Sequence, residues 1–523
     1  MTEIKNITKA ASVVGGATLL SRILGYVRDA VIAAFFGAGT YADVFFIAYR
    51  IPNFFRRLVG EGSLTVSFIP VFTEELTLGS RERAKRIASS AFTFFTIILA
   101  GLTILGILFS AQIVELTVPG FANIQNKLSI TVSLTRWMFP FLFFICLVAL
   151  GMGVLNSLKH FTAPALSPVW FNLSMIASTI FLIPFFKQPV YALAFGVVLG
   201  GILQFLYQLP YLKRYDMFPG LDFNFNDPAI KKIVLLMLPA ILATGVSQIN
   251  VLVTSRFASH LTEGSVSYLY YADRIVELPM GVFVIAVATA VLPSMSEHAV
   301  KQDWSAFKES LSFSMRLVTF ITIPATVGLI ALAVPIVTIL FQRGEFSSEA
   351  TKGTVYALYF FSLGLAAFGG ARILVSAFYS LKDTLTPVKV GCVAVIANII
   401  FCFMLIGPLQ HGGLALATSL SSMINLLLLF LALRKRLGGI GGRKIFASGM
   451  KVVASSIPMG VGAYGISLLG NWSGGGITIM KFFVLVSAIC FGVISFVVFT
   501  YLFKSPELSF LIDMLRERWG KSR

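Results

Sequence analysis

Between Ser21 and Glu75 an otherwise apolar stretch carries Arg22, Arg28, Asp29, Asp43, Arg50, Arg56 and Arg57. A charged side chain at the centre of a bilayer costs at least about 2.5–3.5 kcal/mol on insertion scales. A chain that keeps several there turns them toward protein or water. Arginine presents a planar fork that makes paired, charge-assisted bonds to phosphate, and it stays charged at any relevant pH. A cationic substrate or a coupling ion would call for acids instead, and acids are few here. The chemistry is therefore the capture of an anion, a phosphate or pyrophosphate, in a polar cavity.

The spacing says which elements must position these groups. Arg22 and Arg28 are six positions apart, about 600° of helix rotation, so a straight helix does not align them; Gly25 between them offers a place to bend. Arg22 and Asp29 lie seven apart on nearly one stripe. Two plainer readings stand beside this one: Arg22 as a snorkelling residue near the cytoplasmic face, and Arg28–Asp29 as an interfacial pair. Pro52 breaks the second apolar segment just after Arg50, and Asn53, Arg56 and Arg57 lead into Gly60-Glu61-Gly62. Broken helices at membrane depth are tolerated only against protein or a water-filled cavity. Arg56 reads as a cavity residue, with a cytoplasmic anchor formed by Arg56 and Arg57 as the alternative. Asp43 is a gate partner for an arginine or a simple helix N-terminal acid.

The second half carries fewer charges. Gln248, Asn250 and Arg256 form a polar stripe, and SVSYLYYADRIVELP contains Ser267, Asp273, Arg274 and Glu277. Arg274 and Glu277, three apart, can pair on a helix, so a structural role for Arg274 stands level with a ligand role. Arg136 and Arg372 read as interfacial anchors.

The elements around these residues are spanning helices. The chain has 523 residues, 57% hydrophobic and 12% charged, which marks an all-α polytopic membrane protein. Long unbroken apolar runs exclude a porin-type barrel. Fourteen spans are expected, at roughly 9–36, 42–60 (continuing to 76 after a break), 88–118, 128–158, 163–185, 189–212, 231–260, 265–298, 310–341, 352–380, 385–406, 412–434, 448–470 and 477–503, with a polar helix at 506–520. No cleavable signal peptide is expected after Lys5 and Lys9. The connections alternate in charge. Lys5 and Lys9, the 81–86 loop, Lys159, the 213–232 flanks, Lys301, Lys382, the 434–444 loop and Arg516, Arg518, Lys521 and Arg523 are basic, and the opposite loops are poor in Lys and Arg. This positive-inside bias puts both termini in the cytoplasm. It also accounts for the +18 net charge without a nucleic-acid partner.

An internal repeat is visible. Ser157-Leu158-Lys159 with Pro164 returns as Ser380-Leu381-Lys382 with Pro387, since 380 − 157 = 223, and Pro70 with Glu74 returns as Pro293 with Glu297 at the same offset. The repeat holds six helices, so its copies keep one orientation, related by an axis along the membrane normal. The expected divisions are 1–215 and 216–436, two six-helix lobes in parallel repeat, and 437–523, two extra helices and an amphipathic C-terminal helix. Two like-oriented bundles leave a cleft that opens to either side by rocking. No nucleophile–base spacing, metal motif or nucleotide loop stands out, so no enzyme, metal or cofactor is expected. The four cysteines fall in apolar runs without metal or disulfide spacing.

SRILGYVRDAVIAAFFGAG, DVFFIAYRIPNFFRRLVGEGSLTVSFIPVF, YYADRIVELPMGVF and FYSLKDTLTPVKV closely resemble the bacterial lipid II flippase family (MurJ, also called MviN), within the multidrug/oligosaccharidyl-lipid/polysaccharide exporter superfamily. The resemblance implies fourteen helices, two lobes around a cavity, and a lipid-tail groove from the last two helices. It implies movement of undecaprenyl-pyrophosphate-linked peptidoglycan precursor, lipid II, from the inner to the outer leaflet of the bacterial inner membrane. The family's cavity arginines fall on Arg22, Arg28, Arg56 and Arg256, and Arg274 matches a charged position. Asn53 joins the substrate-binding set; Ser21, Asp29, Asp43, Ser267 and Glu277 are gating or cavity polar residues. Some members bind sodium in the second lobe, but the seventh helix here has no acid after Asp227, so that site does not carry over. Implied partners are the lipid-linked glycopeptide, membrane lipids, and proteins of cell-wall synthesis and division. Alternatives are a flippase for another polyprenyl-pyrophosphate oligosaccharide, a drug or ion antiporter, and a non-transporting scaffold.

Overall fold

A computed structural model of the chain describes residues 2–520 other than 475 and 477. Lys521 and Arg523 of the basic C-terminus lie outside the described residues, as do the side chains of Lys5, Lys9, Glu61 and Arg518. Among the described residues the regular structure is helical, with no strand. The chain divides into two compact units, Met1–Val266 and Ser267–Arg523.

The first unit contains α1 (Thr2–Phe36), α2 (Thr40–Arg56), α3 (Thr65–Leu78), α4 (Arg81–Leu108), α5 (Ser110–Thr117), α6 (Lys127–Ser157), α7 (Thr162–Ala177), α8 (Val190–Arg214) and α9 (Pro228–Ala258). Local chemistry sets the starts of two of them. Ser80 accepts from the Arg83 N–H at 3.1 Å to open α4. Asp227 accepts from the Ala229 N–H at 2.9 Å to open α9, with Pro228 at the first helical position. The centre of the unit is α6, whose best spanning window is 72% buried. α7 and α8 approach closely because Gly196 and Gly200, four apart, face the neighbour: a Cβ on Gly200 would lie 2.8 Å from a ring carbon of Phe171, and one on Gly196 would lie 2.9 Å from the Ser178 side chain.

The second unit contains α10 (Ser265–Pro279, whose first two residues belong to the first unit), α11 (Ile285–Val300), α12 (Trp304–Ala331), α13 (Ala333–Phe341), α14 (Ser348–Leu363), α15 (Leu365–Ser380), α16 (Leu385–Leu437), α17 (Gly442–Ser467), α18 (Ile479–Leu502) and α19 (Pro506–Gly520). Its core gathers Val284, Met315, Val318, Ile373, Phe378 and Leu433. Phe320, Val452, Met459 and Phe496 form a second cluster under Leu508 of α19. Glu507, fully buried, fastens α19 to Arg316 of α12 at 2.9 Å.

Among the described residues nine helices are long and apolar enough to cross a membrane, or ten when α14 and α15 count as one span bent by 43°. That is coarser than fourteen. The 53-residue α16 merges the two segments expected at 385–406 and 412–434, which are separated by non-helical geometry at Gln410 (φ 48°, ψ −129°). α2 has 17 residues and ends on Arg56, so it falls short on its own.

The helix irregularities recur at the offset of the sequence repeat. A π-helical segment starts at Arg57 and another at Met280 (280 − 57 = 223). The chain breaks between helices at Phe109 and again at Leu332 (332 − 109 = 223). Lys159 and Lys382 both adopt left-handed backbone, at φ 61° and 58°. In each copy the next N–H reaches back five residues, His160 to the Leu155 carbonyl at 2.8 Å and Asp383 to the Phe378 carbonyl at 2.9 Å.

Candidate functional site

Arg28 sits inside the first unit with its charge closely partnered. Its Nε and Nη2 both donate to Asp29 Oδ1, at 2.9 and 2.7 Å. Its Nη1 donates to Asn172 Oδ1 at 3.1 Å, and Asn172 Nδ2 donates to the Ser21 carbonyl at 3.0 Å. The guanidinium also stands 5.7 Å from the Phe171 ring centre. The Arg28 side chain is 11% exposed and that of Asp29 3%. Adjacent helical residues do not face each other, but the long arginine curls back to meet its neighbour. Asp29 therefore serves Arg28 rather than Arg22, the partner its spacing had favoured. Arg22 is half-buried and has no hydrogen bond or ion pair among the described residues.

Arg56 is shaped by its own helix. Its Nε donates to Asn53 Oδ1 at 2.6 Å, so the two residues form one polar group on α2. Arg57 then opens the π segment, where the Ser63 hydroxyl donates to the Leu58 carbonyl at 2.7 Å and Thr65 to that of Gly60 at 3.2 Å. Such segments inside α-helices cluster at functional sites. Arg50, six residues before Arg56, donates to the Ser255 hydroxyl on α9.

The two ends of α9 are tied to the rest of the first unit by different chemistry. At the Pro228 end, Lys232 pairs with Glu74 at 2.7 Å, and Arg83 bridges Glu75 at 2.9 Å and Asp227 at 3.3 Å. Nearby, Lys85 pairs with Asp216 at 2.7 Å. Lys232, Glu74, Arg83, Lys85 and Asp216 are exposed and Glu75 and Asp227 half-buried, and Lys85 holds the Asp216 carboxyl below its ordinary range, chiefly by its hydrogen bond. At the Ala258 end the ties of Asp43 and Ser259 are buried, while that of Glu263 is exposed. Asp43 Oδ2 takes Lys127 Nζ at 2.8 Å and the Gly264 N–H at 2.9 Å. Glu263 accepts from the backbone N–H of Thr40 at 2.6 Å and from its hydroxyl. Ser259 Oγ accepts from the Gly120 N–H at 3.2 Å. Arg256 belongs to this end: it is exposed and donates to the Leu116 carbonyl at the close of α5. Asp43 thus has a lysine for a partner where an arginine was one expectation.

In the second unit, Arg274 pairs with Glu277 at 2.7 Å, the three-residue spacing that the sequence allowed. Its guanidinium lies 5.1 Å from the Tyr270 ring centre and donates to the Tyr270 hydroxyl at 3.1 and 3.2 Å. Ser267 is fully buried. Among the described residues no group of three or more His, Cys, Asp or Glu could hold a metal ion.

Residues 32–483 match the profile of a family described as lipid II flippase MurJ. The chain belongs to the MurJ family. A probable lipid II flippase MurJ of Vibrio cholerae serotype O1 is 39% identical over 437 residues, which is 82% of this chain and 83% of that protein. A solved structure of a lipid II flippase MurJ in an inward closed conformation superposes with a TM-score of 0.75 at 27% identity, covering 94% of this chain and 98% of that one. An inward-facing multidrug MATE transporter of the MOP superfamily, at 17% identity and a TM-score of 0.69 over 80% of this chain and 96% of that one, shares the fold.

Within this MurJ-family chain, sequence reasoning missed two residues. Asn172 orients Arg28 from 144 positions away; its only signal was an amide inside the apolar run WFNLSM. Lys127 had been counted as one basic residue of a loop poor in charge, yet it is among the most deeply buried large side chains of the protein.

Proposed function

We propose that this chain is a lipid II flippase of the bacterial inner membrane. It moves undecaprenyl-pyrophosphate-linked peptidoglycan precursor from the inner to the outer leaflet by alternating access. Membership of the MurJ family supports the substrate. The observation that carries the chemistry is the set Arg22, Arg28 and Arg56, held on apolar helices, with Asn172 and Asn53 aiming two of them. Guanidinium groups in such a setting replace the water that a diphosphate loses on leaving solution. A long isoprenoid tail stays in lipid, so only the charged head needs an escort.

In this reading the chain has fourteen spans, six-helix lobes at 1–215 and 216–436, two added C-terminal helices, and both termini in the cytoplasm. The exposed ion pairs around Lys232 and Arg83 then face the cytoplasm, and the buried ties around Asp43 face outward. Arg22, Arg28, Arg56 and Asn53 bind the diphosphate; Arg274, with Glu277, is the matching charged group of the second half. Arg256, Asp43, Ser21, Asp29 and Ser267 shape the gates and walls. Proteins of cell-wall synthesis and division are the expected partners.

An antiporter would need acids free to take up a proton or cation. Asp29 and Asp43 are each engaged by a cation instead. The test is depletion of a host's native flippase with rescue by this chain, reading outer-leaflet lipid II directly. Rescue is expected, with loss on Arg28→Ala at normal protein level. Failure of the parent chain to deliver lipid II, while correctly inserted, refutes the function.

A further inference from the structure

We propose that Lys127 is a positioning residue for transport, holding the Asp43 carboxylate against the Gly264 N–H and so fastening the Ala258 end of α9 to the start of α2. One carboxylate oxygen, Asp43 Oδ2, receives both groups, at 2.8 Å from Lys127 Nζ and 2.9 Å from the Gly264 nitrogen. The side chains of both ions are 2% exposed. Lys127 Nζ also lies 4.4 Å from the Phe121 ring centre, which gives the ammonium a second favourable face.

Local rules argue against a lysine here. Lys127 is the first residue of α6, where the helix dipole disfavours a cation, and it follows Asn126 in left-handed backbone at φ 61°. A residue that breaks a local preference marks a site with another purpose. The purpose visible here is Asp43, which sits in the first turn of α2, where an anion is favoured, and reaches the corner after α9.

The physical consequence is an unequal pair of fastenings. A buried ion pair stabilises little over an apolar pair of the same shape, but separating it strands two charges away from water. The Asp43 fastening at the Ala258 end of α9 therefore parts only when both ions are rehydrated together. At the Pro228 end both members of the Lys232–Glu74 pair are exposed, as is the Arg83 that reaches Asp227, so these ties exchange with water at less cost. Lys127 thus decides which end of α9 holds when the other lets go.

The test uses the full chain with Cys392 and Cys490, the two exposed cysteines, changed to serine. Ser265→Cys, at a buried position beside Gly264, reports opening of the fastening to a maleimide. Ser174→Cys, buried between α7 and α8, reports general loosening. Lys127→Met strands Asp43 and is open to misfolding, so Asp43→Asn combined with Lys127→Met, which leaves no orphan charge, carries the decision. In that double variant we expect labelling at residue 265 to rise about fivefold or more, unchanged labelling at residue 174, and delivery of lipid II to fall about tenfold. Lys127→Arg, which keeps the charge, should stay near the parent in both readings. Parent-level labelling at residue 265, parent-level delivery, or an equal rise at residue 174 overturns the proposal. The transport readout rests on the flippase reading, whereas the labelling needs no substrate. A parent chain that fails to deliver lipid II sinks that reading and leaves the labelling result intact.

Discussion

Asn172 and Arg28 show what a single amide does inside an apolar helix pair. With Asp29 on one side and Asn172 on the other, the Arg28 guanidinium has a fixed plane, and a fixed plane is what a diphosphate needs from it. Asn172→Ala leaves a buried donor short of an acceptor, which costs about 1–3 kcal/mol, and lets the fork turn. We expect normal insertion and a fall of about tenfold in outer-leaflet lipid II, measured in the depletion strain. Arg28→Lys keeps the charge and loses the fork, and should fail to rescue although the protein accumulates. The arginines themselves were legible from residue type alone, because charges in an apolar run are conspicuous. Their orienting partners were not: Asn172 meets Arg28 across 144 positions and Lys127 meets Asp43 across 84, and no local pattern encodes such distances.

At the scale of elements, apolar run length located the helices, and of their interruptions the one around Gly60 was legible while that at Phe109 was not. Phe109 breaks its helix without a proline or glycine beside it, so composition gave no warning there, whereas the break at Leu332 lies three residues before Pro335, which has no N–H for the Ala331 carbonyl. The close approach of α7 and α8 was also silent in the sequence, since Gly196 and Gly200 gain meaning only from what faces them. Gly200→Ala would place a methyl 2.8 Å from the Phe171 ring and 3.2 Å from its backbone. Overpacking of this kind costs about 1–3 kcal/mol and should lower the thermal midpoint of the purified protein. The left-handed lysines predict the opposite sign. Lys159→Gly and Lys382→Gly relieve a conformation costing about 1–2 kcal/mol in an L-residue, so each should be neutral or stabilising in the same melt.

For the whole molecule, the helical class and the membrane setting followed from composition, and the family from the resemblance of four stretches, the arginine-rich opening among them. The grouping of α9 with the first compact unit did not, because the sequence repeat places that helix in the second copy. Raising salt screens exposed charges far more than buried ones. We expect high salt to loosen the exposed ties of Lys232, Arg83 and Lys85 and to leave labelling at residue 265 unchanged. The cationic groups also predict a dependence of transport on voltage. An inside-negative potential favours returning an empty, positively charged cavity toward the cytoplasm, by up to about 2.3 kcal/mol per charge per 100 mV if the full field is crossed. Collapsing the potential should slow flipping in vesicles, and an unchanged rate would remove voltage as the driver.

The paired helix irregularities reach back further than any present function. Arg57 and Met280 share no chemistry, yet the backbone turns π-helical at both, and it breaks at both Phe109 and Leu332. Bends that outlast the residues around them are inherited, so they were already present when one gene became two. A half-length ancestor carrying those bends would have had moving parts before it had a second half.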